Sequence, residues 1–172
     1  NKLPAILVVH ENRGLNPHIE DVARRLALEG FMTLAPDGLT SLGGYPGDDV
    51  KGGEMFGKVD RMKMAEDFYA AANYVKDRPD STGRLGATGF CFGGGVTWQV
   101  ATQMTELKAA IPFYGPPPEA AAVPNIQAAV MAVYGGRDTG LTPTAEAMGA
   151  TIEEDVKAFG ETDSRDGRTA LP

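Results

Sequence analysis

The 172 residues include one cysteine, two histidines and one tryptophan. A lone cysteine excludes an intramolecular disulfide and any cysteine-rich zinc site, and leaves Cys91 as either a small buried hydrophobe or a reactive thiol. Basic residues are outnumbered, 16 Lys+Arg against 23 Asp+Glu, for a formal charge of −7. That balance argues against nucleic acid as a partner, because such binders need a basic stripe to meet phosphates. No apolar run approaches the roughly 20 residues of a membrane helix, so a membrane is not an expected partner either. The first residues show no charged-then-apolar leader pattern, which with the single cysteine points to a cytoplasmic location. The chain opens at Asn1 and is already in an apolar run at Leu3, which reads as the start of a fragment or of a mature form.

What is present is an ordinary globular composition, 42% hydrophobic and 23% charged. The expected organisation is one domain over residues 1–160 followed by a polar, irregular tail over 161–172. Ala5 to Val9 is a continuous apolar run, as in a strand buried on both faces of a parallel sheet. Asn16-Pro17 then supplies a helix cap and first residue, Ile19, Val22, Ala23, Leu26 and Ala27 recur at helical spacing, and Gly30 stops the helix. Phe31 to Ala35 reads as the next strand. Residues 37–57 form a Gly-rich stretch that reads as a long loop, with Gly43-Gly44 and Gly52-Gly53 in it. A helix is expected from Val59 to Lys76 with Met62, Ala65, Phe68, Ala72 and Val75 on its apolar face. Strands are expected at Arg84–Thr88, Lys108–Phe113 and Ala128–Tyr134, and a helix at Thr144–Phe159 capped by Thr144. Strands alternating with helices imply an α/β fold, a mostly parallel sheet with helices on both faces.

The chemistry concentrates at Gly89-Phe90-Cys91-Phe92-Gly93, between a strand and a helix. Glycines on both sides of a nucleophile allow a strained turn where the backbone passes too close to its neighbours for a Cβ. Such a turn lifts the thiol over the sheet's C-terminal edge and sets it at a helix N-terminus, a place that favours thiolates. The N–H of Phe92 would face a developing oxyanion, and a second N–H could come from the loop around Glu11 and Asn12. A dinucleotide-binding reading fails, since Cys91 stands where the middle glycine would have to be. Neither a cofactor nor a metal is expected. Asp138 follows a strand that comes after the nucleophile, the position of the acid in a hydrolase triad, although a turn aspartate in Gly-Gly-Arg-Asp-Thr-Gly has the same appearance.

Five segments, His10 to Asn16, Ala35-Pro36-Asp37, Thr88 to Gly95, Pro112 to Gly115 and Tyr134 to Asp138, resemble the dienelactone hydrolase family in order and spacing. The resemblance runs from about Leu3 to Ala150 and implies an α/β-hydrolase fold in which a cysteine nucleophile opens lactones or small esters. It further implies that Cys91 is the nucleophile and Asp138 the acid that orients a histidine. Glu11 would hold the resting thiol and take part in its activation, and Tyr114 would line the pocket. The sequence departs from the family at the histidine. Only His10 and His18 occur, both precede Cys91, and none follows Asp138. His10 could take over only by reaching across from the oxyanion loop. The family's carboxylate-binding arginines also lack counterparts between Arg25 and Arg61, where the Gly-rich stretch offers Lys51 and Lys58. The expected function is therefore lactone or ester hydrolysis with weak turnover. The alternatives are a non-catalytic ligand-binding domain of the same fold, or a thiol redox protein that would need an external partner thiol.

Overall fold

The computed structural model describes residues 1–144 together with the backbone of the strands at 162–163 and 168–170. The backbone falls into two compact units, Asn1–Gly86 and Ala87–Pro172.

The first unit contains β1 (Leu3–Val9), α1 (Pro17–Leu28), β2 (Met32–Leu34), α2 (Asp49–Phe56), α3 (Arg61–Lys76) and the start of β3 (Ser81–Phe90), with strand order β2-β1-β3. β1 and β2 are parallel, Ala5 opposite Met32 and Leu7 opposite Leu34. Leu7, Val8 and Val9 are all inaccessible although consecutive residues point to opposite faces. That is the burial of a parallel strand covered on both sides, as its unbroken apolar run implies. The Asn16 side chain accepts from the Ile19 N–H at 3.2 Å, Pro17 begins α1, and Gly30 follows its end at φ 89°. Cap, proline and left-handed glycine thus bound α1 where the sequence places its ends. α3 begins at Arg61 rather than Val59, because Asp60 accepts from the Met62 and Lys63 N–H groups and caps it there. Its buried face runs Met64, Phe68, Ala72 and Val75, while Met62, expected inside, is 79% exposed in the first turn.

The stretch expected to be a long loop is partly helical. It holds a single 3₁₀ turn at Thr40–Leu42 and the two-turn helix α2, whose N-cap Asp48 accepts from the Lys51 N–H at 2.9 Å. Gly52 and Gly53 lie inside α2 against their helix propensity. A Cβ on Gly52 would stand 2.2 Å from the Arg13 carbonyl oxygen, so only glycine lets α2 rest on the chain leaving β1. Close packing overrides local preference here.

The second unit contains the end of β3, α4 (Phe92–Gln103), β4 (Ala109–Phe113), β5 (Ala129–Val133), β6 (Thr162–Asp163) and β7 (Arg168–Ala170), with strand order β3-β4-β5-β7-β6. β4 and β5 are parallel, Phe113 opposite Val133, so the sheet is mostly parallel, as expected of an α/β fold. Two expectations are corrected. The tail 161–172, read as irregular, contributes β6 and β7, with β7 antiparallel to β5 and Ala132 opposite Thr169. The chain is also already helical at Thr142, ahead of the expected cap Thr144, because the Asp138 turn starts it; the rest of that expected helix lies outside the described residues. Among the described residues no helix is long and apolar enough to cross a membrane.

Candidate active site

Cys91 is the N-cap of α4 and has φ 55°, ψ −114°, a conformation that side chains other than glycine's rarely adopt. Three close approaches hold it there. A Cβ on Gly89 would lie 2.3 Å from the Gly93 carbonyl oxygen, one on Gly94 would lie 2.4 Å from that of Phe113, and one on Gly115 would lie 2.1 Å from the Gly95 nitrogen. The strand end, the first turn of α4 and the end of β4 thus touch backbone to backbone, and glycine is the residue that permits it. The Cys91 N–H donates to the Phe113 carbonyl at 3.0 Å, and the Cys91 carbonyl accepts from the Gly95 N–H at 3.2 Å. The thiol residue itself is only partly buried.

Next to it, Tyr114 is the second non-glycine residue with positive φ, 38°, and its N–H donates to the Val133 carbonyl at 2.7 Å. Its side chain is 38% exposed and meets the rings of Phe90 and Phe113, which stack with centroids 4.8 Å apart. Phe92, the first residue of α4, is partly buried. Cys91 follows β3, Tyr114 follows β4, and Asp138 comes five residues after β5, so three site candidates sit beyond the ends of successive strands. Asp138 organises its own turn: its Oδ1 accepts from the Gly140 and Leu141 N–H groups, both at 2.9 Å. The turn reading of Asp138 is therefore realised by one of its oxygens.

Glu11 and Asn12 lie in the first unit, directly after β1, Glu11 partly buried and Asn12 exposed. His10 is fully buried beside them, edge-on to Phe68. Its Nε2 accepts from the Gly38 N–H at 2.8 Å, and its Nδ1 stands 2.6 Å from the Glu11 carbonyl oxygen, which can only accept. The ring is therefore the neutral Nδ1–H tautomer. Burial pushes its pKa down, against the opposing pull of the Glu11 carbonyl and the Asp37 carboxylate. A histidine so engaged, Nε2 to Gly38 and Nδ1 to Glu11, is not disposed to act as a base, so the reading of His10 as a substitute is set aside.

Sequence reasoning overlooked the groups that brace this region. The Trp98 indole donates to the Tyr134 hydroxyl at 3.1 Å, which donates to the Gly115 carbonyl at 2.9 Å, beneath the turn that carries Tyr114. Asp37 binds three backbone N–H groups, those of Leu15, Leu39 and Tyr45. The Ala35-Pro36-Asp37 segment was visible as a pattern, but its purpose as a loop hub was not.

A strained turn between a strand's end and a helix's start, in a mostly parallel sheet with flanking helices, is the mark of the α/β-hydrolase fold. The comparisons agree and go further: the sequence profile of the Dienelactone hydrolase family matches residues 1–161, and the chain belongs to that family. A Salmonella typhimurium LT2 protein named "Putative carboxymethylenebutenolidase" is 34% identical over 153 residues, covering 81% of this chain and 56% of its own length. An Escherichia coli K12 protein named "Putative hydrolase fragment YghX" is 68% identical over 59 residues, 34% of this chain and 50% of its own. The crystal structure named "Putative Dienelactone Hydrolase" from Klebsiella pneumoniae superposes with a TM-score of 0.76 at 29% identity, over 90% of this chain and 70% of that one. The chain spans about half the length of the curated relatives it matches.

Proposed function

We propose that the chain attacks lactones or small esters through Cys91. The observation that carries this reading is the Cys91 backbone, at φ 55°, ψ −114° at the head of α4, among glycines whose close backbone contacts leave no room for a Cβ. Strain of this size persists where the surroundings over-determine it, as at nucleophile turns. In the reaction the Cys91 thiolate adds to the carbonyl carbon, and the backbone N–H of Phe92 receives the oxyanion. The ester C–O bond then breaks, the leaving alkoxide takes a proton from water, and an acyl-thioester remains on Cys91. Tyr114 lines the acyl pocket, and Asp138 is the acid that orients an imidazole. Within these 172 residues no histidine follows Asp138, and His10 is committed to Gly38 and Glu11.

Iodoacetamide tests the nucleophile: labelling of Cys91 near neutral pH should outrun that of a model thiol. Labelling at the model rate, with rapid ester turnover that survives Cys91→Ser, would overturn the reading. The engagement of His10 also favours a second reading, a ligand-binding domain of the same fold without chemistry. Ligand-dependent stabilisation with no acyl-enzyme would identify it.

A further inference from the structure

The first unit contains a cavity of about 310 Å³ lined by Asn12, Arg13, Asp49, Val50 and Gly53. α2 comes down onto the chain at Arg13 because Gly52 lacks a Cβ, which would stand 2.2 Å from the Arg13 carbonyl oxygen. Asp49 dominates its charge. Its Oδ2 accepts from the Arg13 guanidinium at 3.0 Å, and its Oδ1 from the Tyr45 hydroxyl at 2.7 Å and the Asn16 amide at 3.3 Å. A solitary exposed ion pair is worth little. This one belongs to a network whose members are fixed elsewhere. Asn16 is buried and caps α1 with its other atom, and Asp49 opens α2, where the helix dipole favours a carboxylate. The Tyr45 hydroxyl and the Arg13 guanidinium hold the Asp49 carboxyl below the usual carboxylate range, so at neutral pH it is charged and occupied.

The guanidinium in the cavity is thereby already matched by a carboxylate. An anionic substrate arm would have to compete with Asp49 for Arg13 and accept its repulsion. An uncharged arm meets Val50, 73% exposed at the wall, and amide and guanidinium donors for a carbonyl oxygen. We infer that this cavity takes an uncharged ester group, and that Asp49, by keeping Arg13 engaged, makes it prefer neutral esters to their carboxylate counterparts. The inference rests on the ester-cleaving reading for the class of ligand that enters the cavity.

The test titrates the ¹⁵N-labelled chain with dimethyl succinate and with succinate while following backbone amide signals. The diester should shift the Asn12, Arg13, Val50 and Gly53 signals at concentrations about tenfold lower than succinate, the effect of one like-charge neighbour at a half-exposed site. Asp49→Asn should narrow that difference, and Arg13→Gln should widen it. A merely structural role would move both variants in the same direction. Equal binding of the two ligands, parallel changes in the two variants, or shifts confined to other residues would each overturn the subsite. The p-nitrophenolate burst from p-nitrophenyl methyl succinate reads the nucleophile separately. A burst lost in Cys91→Ser, with amide shifts elsewhere, keeps the cysteine reading and discards the subsite. Amide shifts as expected with no burst discard the cysteine reading and retain the preference for neutral ligands.

Discussion

The Tyr134 hydroxyl lies 3.1 Å from the Trp98 indole nitrogen and 2.9 Å from the Gly115 carbonyl oxygen, so one buried oxygen ties the middle of α4 to the turn after β4. Trp98 is inaccessible and Tyr134 is 5% exposed, and burial holds the Tyr134 phenol pKa above its ordinary value despite the Trp98 donor. Tyr134→Phe removes the oxygen and strands both a buried N–H and a buried carbonyl. The expected loss is about 1–3 kcal/mol, the cost of unsatisfied buried polar groups. Urea unfolding of the variant checks it, and an unchanged midpoint would show that water replaces the hydroxyl.

The glycines around Cys91 differ from those elsewhere in what a methyl group would meet. Gly115→Ala sets a Cβ 2.1 Å from the Gly95 nitrogen, against backbone that cannot give way, whereas Gly136→Ala finds nothing within 4 Å. The first should cost more than about 3 kcal/mol and the second lie within about 0.5 kcal/mol of the parent. Thermal melts of the pair decide it, and similar melting temperatures would mean that the strand end and helix start are not in contact in solution.

Local signals were readable where one short segment contains its own cause. Ala5 to Val9 shows a buried parallel strand, Asn16-Pro17 and Gly30 show a helix's ends, and Gly89-Phe90-Cys91-Phe92-Gly93 shows a cramped turn, because cap, stop and close approach each leave a residue-level mark. Causes lying far along the chain left none. α2 is helical partly because Gly52 must meet the Arg13 carbonyl 39 residues earlier. Two- and three-residue strands such as β6 and β7 are too short for a period to register, and β7 is defined by its pairing with β5. Met62 and Met64 look equivalent in a helical pattern until the Asp60 cap fixes which one starts the buried stripe. Of the candidate site, the thiol turn was legible, whereas the Asp49 network was hidden within what read as a loop.

Asp37 gathers the loops around it through a single carboxylate. Its Oδ1 accepts from the Leu15 and Leu39 N–H groups at 3.2 and 3.0 Å, and its Oδ2 from that of Tyr45 at 2.5 Å. Asp37→Ala leaves three backbone donors without this partner and should destabilise by about 2–3 kcal/mol, hydrogen bonds to charged groups being the stronger kind. Asp37→Asn keeps the Oδ1 acceptor but turns a donor toward Tyr45, and should lose less. Hydrogen exchange should then report faster exchange at Leu15, Leu39 and Tyr45 in the alanine variant, and at Tyr45 alone in the asparagine variant. Uniform loss of protection in both would show that Asp37 acts on the whole fold rather than on these loops.

His10 gives the first unit a pH limit. In the folded chain the ring is neutral, its Nε2 lone pair held by the Gly38 N–H, and burial lowers its pKa below the ordinary 6.5. In the unfolded chain it titrates near about 6.5. Between the two values the unfolded state binds a proton that the folded state does not, so stability must fall as pH decreases. The loss begins as pH drops through about 6.5, with a slope that for one proton does not exceed roughly 1.4 kcal/mol per pH unit. It levels off below the folded pKa, and above about pH 7.5 this residue contributes no slope. Urea unfolding between pH 5 and 7.5 measures the trend, and His10→Gln, which cannot titrate, should flatten it while lowering stability at every pH. A slope that survives in His10→Gln would assign the pH dependence to the carboxylates instead.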